Sequence, residues 1–266
     1  MGHEDMGKHY YASGDLANAF KSYSRMRDYC TAPKHIVDMS LALIRVCIEQ
    51  GNFVSAQSNI AKLKNVSLKA EEEEELRGKI TATQGLAHLA AGSYREATRS
   101  FLECPPTLGV GFNEVLSPND IAIYGGLCAL ASMDRMQLKS EVLDNSSFRQ
   151  FLELEPYMRR AISYFHTAKY SECLQILEDY KNDYLLDIHL HRHVKRLYDS
   201  IRSKGIVQYF IPFSCVTLSA MAEAFRTNEA DLEVELIGMI QKKLLEARID
   251  TKNRVCLHPR PSLISY

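Results

Sequence analysis

The sequence predicts an all-α, tetratricopeptide-like helical-repeat solenoid that ends in a winged-helix subdomain with a small β-hairpin sheet. Three observations predict it. A turn phrase recurs at intervals of about 40 residues, apolar residues follow the helix period through most of the chain, and only near the C-terminal end does the pattern switch to period two.

The recurring phrase reads SGDLANAFKSY at 13–23, QGNFVSAQSNI at 50–60, AGSYREATRSF at 91–101 and, more loosely, TAKYSECLQIL at 167–177. Gly14-Asp15-Leu16 leads to Ala19 and Tyr23, Gly51-Asn52-Phe53 to Ala56 and Ile60, and Gly92-Ser93-Tyr94 to Ala97 and Phe101. Each slot has a physical reason. Glycine ends one helix in the left-handed conformation. The Asp, Asn or Ser beside it caps the next helix by accepting a backbone N–H. The large side chain fills the groove between the two helices, and the small residue lets them approach.

The glycines stand 37 and 41 residues apart, and Ala168, which takes the glycine slot of the fourth copy, follows Gly92 by 76. That last interval is about two periods, which places a degenerate copy near 130–143. Lys169 replaces the cap of the fourth copy. The competing reading is a series of unrelated helical hairpins that share turn chemistry. Among the intervening elements, EEEEEL at 71–76 opens a helix running to Ala91, with acids at the positive end of its dipole. The segment 104–120, with three prolines and two glycines, reads as a loop, and Ser117 or Asn119 can cap the helix beginning near Asp120.

Further on, Leu190, Val194, Leu197, Tyr198 and Ile201 form a helix stripe from Ile188 to Ile201, stopped by Lys204-Gly205. VQYFIPF at 207–213 is too short and proline-broken for a long helix. A helix at 216–225 faces inward with Leu218, Met221, Ala222 and Phe225, and a second at 228–247, capped at Asn228, with Leu232, Leu236, Met239, Ile240 and Leu244. Ala247–Ile249 and Val255–Leu257 then flank TKN as a hairpin. These limits give helical repeats over 1–145, a further domain over 146–258 (helical to 203, winged helix from 204), and the start of a tail at 259–266.

Composition narrows the function. The 32 basic and 33 acidic residues leave a net charge of −1, so bulk charge points to neither nucleic acid nor a membrane surface as partner. The seven cysteines are scattered without a C-x-x-C pair, which fits reduced thiols in the cytoplasm or nucleus. The N-terminus is too polar for a signal peptide, and no apolar run reaches membrane-spanning length. The helix at 228–247 carries Glu229, Asp231, Glu233, Glu235 and Glu246 against Lys242 and Lys243, the wrong charge for a groove lined by phosphates. No nucleophile-elbow or phosphate-binding motif is present.

Helical repeats running into a winged helix resemble the PCI domain, shared by large subunits of the proteasome lid, the COP9 signalosome and a translation-initiation complex. The local text resembles its signature at Leu218, Ser219, Ala222, Phe225, Leu232, Glu233, Glu235, Ile240, Ala247, Ile249 and Asp250. RDYC with KH close behind at 27–35, DIAIYGGLCALASMDR at 120–135, FRQFLELEP at 148–156 and the stretch 185–209 are similar to the signalosome's branch of the family. The alternative is the matching lid subunit of the 26S proteasome, and a nucleic-acid-binding winged helix is a further one. Members are longer at both ends, so the chain is expected to be a fragment.

The resemblance implies a non-catalytic scaffold. Its partners would be other PCI subunits of the complex that removes NEDD8 from cullins and, through it, cullin-RING ligases, with no cofactor, nucleic acid, membrane or small-molecule substrate. It places the contact with a neighbouring subunit on the hairpin edge, at Ala247, Arg248, Ile249, Val255 and Leu257, although those residues could equally close the domain's own sheet. A metal centre at His189, His191 and His193 is the rival expectation. The partner metalloprotease's signature is H-x-H, seven residues, then S-x-x-D, and here Asp199 stands where the serine is required and Arg202 where the aspartate is. On a helix His189 and His191 would point about 200° apart, too far to share an ion.

Overall fold

The computed structural model describes residues 2–64, 66 and 70–258; the expected tail at 259–266 lies outside them. The chain divides into two compact units, one formed by residues 1–125 with 146–154 and the other by 126–145 with 155–266.

The first unit opens with three helical hairpins: α1 (Gly2–Ala12) with α2 (Leu16–Met26), α3 (Pro33–Glu49) with α4 (Phe53–Leu63), and α5 (Ala70–Ala90) with α6 (Tyr94–Leu102). α2 packs on α3, and α4 on α5, so each hairpin lies against the next. A 3₁₀ segment over Pro106–Phe112 breaks the expected loop before α7 (Pro118–Ser132). At the start of α7, Ser117 Oγ accepts the Asp120 N–H at 3.1 Å while Asp120 Oδ2 accepts the Ser117 N–H at 2.8 Å, a reciprocal cap. α8 (Arg135–Gln137) and the π-turn over Leu138–Leu143 that it runs into belong to the second unit, whereas α9 (Ser146–Leu154) belongs to the first and packs on α6.

The turn phrase does in space what its residues require. Gly14, Gly51 and Gly92 have φ of 79°, 68° and 73°. In each turn the following N–H reaches back five residues, from Asp15 to Tyr10 O, Asn52 to Cys47 O and Ser93 to His88 O, at 2.8–2.9 Å. Ala168, the substitute in the fourth copy, takes the same conformation with φ of 62°, and Lys169 N–H reaches Tyr164 O at 2.8 Å. The fourth turn is therefore the same device without glycine. The capping role holds for Asp15 and Asn52, each accepting an N–H at 3.1 Å, whereas Ser93 makes no side-chain cap. The small residues Ala19, Ala56, Ala97 and Cys173 are all fully buried.

A second regularity sits seven residues before each turn. There stand Gly7, Ile44, Gly85 and Ala161, while the large slot nine after the turn holds Tyr23, Ile60, Phe101 and Leu177. A Cβ on Gly7 would come within 2.5 Å of the Tyr23 ring, and one on Gly85 within 2.5 Å of the Phe101 ring. At both glycines the absent Cβ leaves the room that the aromatic ring fills, as close packing demands.

The second unit contains the fourth hairpin, α10 (Pro156–His166) with α11 (Tyr170–Asp179), then α12 (Lys181–Leu186) and α13 (Val194–Phe210). β1 (Cys215–Thr217), α14 (Leu218–Ala224), α15 (Glu229–Gln241), β2 (Arg248–Asp250) and β3 (Val255–Leu257) complete it. Three expectations are corrected. The helix before the winged part starts at Val194, not Ile188, because Asp187 Oδ1 accepts the N–H groups of His189 and Leu190 at 2.8 and 2.7 Å and holds 187–193 as a turn. It then passes through Lys204-Gly205 to Phe210. Gly205 is a site of close approach, where a Cβ would lie 3.2 Å from Phe225 and 3.3 Å from Tyr170. Finally, the start of the expected helix at 216–225 belongs to a third strand, with Thr217 capping α14 by accepting the Ala220 N–H at 3.3 Å.

Candidate protein-interaction surface

The sheet has the order β1-β3-β2, antiparallel throughout. β3 is thus the middle strand, with Leu257 paired to Cys215 on one side and Arg248 on the other, and Val255 to Thr217 and Asp250. This corrects the expected edge. The backbones of Val255 and Leu257 are used by the ladder on both sides, so they offer no free edge, whereas Arg248 and Ile249 lie on β2, an outer strand, with Ala247 just before it. Val216, Cys256 and Ile249 form one row across the sheet, and Val216 and Cys256 are buried. The alternate row brings Cys215, Leu257 and Arg248 together with Cys215 and Arg248 exposed.

The tip of the hairpin is built by Asp250. Its Oδ1 accepts the N–H groups of Lys252 and Asn253, both at 3.0 Å, and its Oδ2 accepts from Asn253 Nδ2 at 2.7 Å. These bonds, those from Asn253 above all, hold its carboxyl below the usual carboxylate range. Arg254, with φ of 53°, completes the reversal, and its carbonyl accepts the Leu218 N–H at 2.9 Å.

Two ion pairs hold α15, and sequence reasoning missed both. Arg202 of α13 places Nε on both carboxylate oxygens of Glu235, at 2.8 and 3.0 Å, and donates Nη1 to Phe225 O at 2.8 Å. Arg254 reaches Glu229 at 2.7 Å. The acids that count against nucleic acid are therefore partly engaged within the domain, and the acidic charge left over on α15 is that of Asp231 and Glu233. Asn228 caps the helix, accepting the Asp231 N–H at 2.8 Å. The one available signal for Arg202 was its spacing from Leu197 and Ile201, which sets a basic residue beside the buried stripe. On the outer face of α15, Val234 and Ile237 are exposed, at 71% and 42%.

The histidines lie in the turn before α13 rather than along a helix, so the angular argument against a shared ion does not apply to them. His191 Nδ1 lies 3.1 Å from Asp187 O. Burial first, then Arg196 and the neighbouring His191 and Arg192, pushes the His193 imidazole below its ordinary range. Among the described residues no group of three His, Cys, Asp or Glu side chains is placed to hold a metal ion, and no helix is long and apolar enough to cross a membrane. Cys47, Cys104, Cys128, Cys173 and Cys256 are buried, and burial raises their thiols.

Helical hairpins in series and a winged helix with a three-stranded sheet are the architecture of a PCI-type protein. The family model described as 26S proteasome subunit RPN7 matches residues 1–141, and that of the PCI domain matches residues 177–258. The chain belongs to this family of PCI-domain proteins. Within it, the chain is 52% identical over 266 residues to COP9 signalosome complex subunit 1 of Emericella nidulans, covering 96% of this chain and 53% of that one. To subunit 1 of Arabidopsis thaliana it is 47% identical over 260 residues, covering 96% and 57%. The 26S proteasome regulatory subunit RPN7 of Saccharomyces cerevisiae is more distant, 25% identical over 264 residues, covering 97% and 60%. The chain spans roughly half to three-fifths of the length of these relatives.

Proposed function

We propose that the protein is a non-catalytic scaffold subunit of the COP9 signalosome, the assembly that removes NEDD8 from cullins and so regulates cullin-RING ligases. The observation that carries this reading is the gap in similarity. The signalosome subunits from Emericella nidulans and Arabidopsis thaliana are 52% and 47% identical across nearly the whole chain, against 25% for the yeast proteasome subunit. The free outer strand β2, with Arg248 and Ile249, supports a neighbouring winged helix adding its own strand there, since unpaired N–H and C=O groups template another chain. Val255 and Leu257 serve the same contact only through side chains on the sheet's open face. The subunit would work in both cytoplasm and nucleus.

The test is a pull-down of the full-length tagged protein from its native extract, with co-purifying subunits identified by mass spectrometry. Signalosome subunits, the metalloprotease included, are expected. Proteasome lid subunits would overturn the assignment.

A further inference from the structure

A groove runs along the first unit between α2 and α4, over α3. Its floor is apolar, formed by Phe20, Met39 and Leu43. Its walls are not. Ser24 and, facing it, Ser55 and Ser58 line the sides with Ser40 below, and the four hydroxyls make no hydrogen bond with any described residue. Each such hydroxyl can donate to or accept from the main chain of a segment that enters.

The charge of the groove is one-sided. Arg27 and Lys62 line it and no Asp or Glu does. The helices on either side continue the pattern, since α2 holds Lys21 and Arg25 without an acid and α4 holds Lys62 without an acid. Among the described residues Lys62 Nζ meets the amide oxygen of Asn59, at 3.2 Å. Arg27 has a loose exposed pair with Asp28 at 3.7 Å, a contact of little energy in solvent. A basic groove on a chain of net charge −1 is a local arrangement, not a reflection of bulk composition.

We propose that this groove binds an extended acidic segment of a partner protein. Its carboxylates sit on Arg27 and Lys62, its main chain on the serine hydroxyls, and an apolar side chain on the floor formed by Phe20, Met39 and Leu43. The proposal rests on the scaffold reading and adds to it the chemistry of one partner. Charge-assisted bonds to Arg27 and Lys62 supply orientation and the salt-sensitive part of the affinity. The site lies in the repeat unit, apart from the sheet edge at β2.

The experiment is a fluorescence-anisotropy titration of the full-length protein with a labelled peptide of repeated Asp-Glu-Leu, beside its Asn-Gln-Leu counterpart. Saturable binding of the acidic peptide alone is expected, weakened about tenfold or more by Arg27→Ala with Lys62→Ala. Removing the same charge elsewhere, by Lys195→Ala with Lys252→Ala, leaves it unchanged. Absence of binding, equal binding of the neutral peptide, or an equal loss in the control variant overturns the groove. The scaffold reading fails separately, in the pull-down of the unaltered protein.

Discussion

Ala168 shows how one residue can keep a structural device after losing the residue type best suited to it. Its φ of 62° belongs to a region where a Cβ costs about 1–2 kcal/mol, yet the backbone bonds of the turn match those at the three glycines. Ala168→Gly is therefore expected to stabilise the protein by about 1 kcal/mol, seen as a higher midpoint in urea denaturation; a lower midpoint would show that the turn is not strained. Lys204 makes a different compromise. Its ammonium donates to Met133 O and lies 5.0 Å from the centre of the Phe165 ring. Burial, partly offset by Asp134, pushes its pKa from 10.5 down to about 7. Below pH 7 both folded and unfolded chains hold the proton, so the group gives no slope there. Between pH 7 and about pH 8, where the unfolded chain's cysteines begin to ionise, the unfolded chain holds more protons at this group, so stability rises with pH. Above that the five buried thiols, whose pKa values burial raises, act in the opposite sense. Urea midpoints at pH 6.5 and pH 8, below most thiol ionisation, are expected to differ in that sense, and Lys204→Met is expected to flatten the difference. A slope that survives the substitution would place its source elsewhere.

At the scale of the element, the hairpins are matched pairs rather than interchangeable cylinders. Gly85 exists because the fully buried Phe101 ring occupies the space where its Cβ would be. Gly85→Ala is expected to cost about 1–3 kcal/mol by overpacking. Phe101→Leu in the same chain is expected to restore part of it, a coupling that a double-mutant cycle on thermal unfolding would read. Additive losses would mean that the two positions do not share the space. This matching was legible in the sequence once the turns were aligned, since Gly7 and Gly85 stand opposite Tyr23 and Phe101. The turn at 187–193 was not. Leu190, Val194, Leu197 and Ile201 keep helical spacing across a segment that is helical only from Val194, because Asp187 holds the residues before Val194 as a turn.

At the scale of the molecule, the repeats and the winged helix were readable because their determinants are local: glycine or its stand-in, a cap, a small residue and an aromatic within one phrase. What stayed hidden depends on residues far apart in sequence. β1 is three residues long and runs directly into a helix, so period alone assigns it to that helix, and only pairing with β3 makes it a strand. The missed strand moves Val255 and Leu257 from the rim of the sheet to its centre. Arg202 is hidden for the same reason, because its partner Glu235 lies on another helix.

The central position of β3 also orders events during synthesis. Each helical hairpin closes on contacts a few residues distant and can be completed as it leaves the ribosome. The sheet cannot, because β1 and β2 both wait for Val255–Leu257, which lie near the end of the winged segment. Until those residues emerge, the nascent domain carries two unpaired strands, and a ribosome paused just before them would expose adhesive edges to every neighbouring chain.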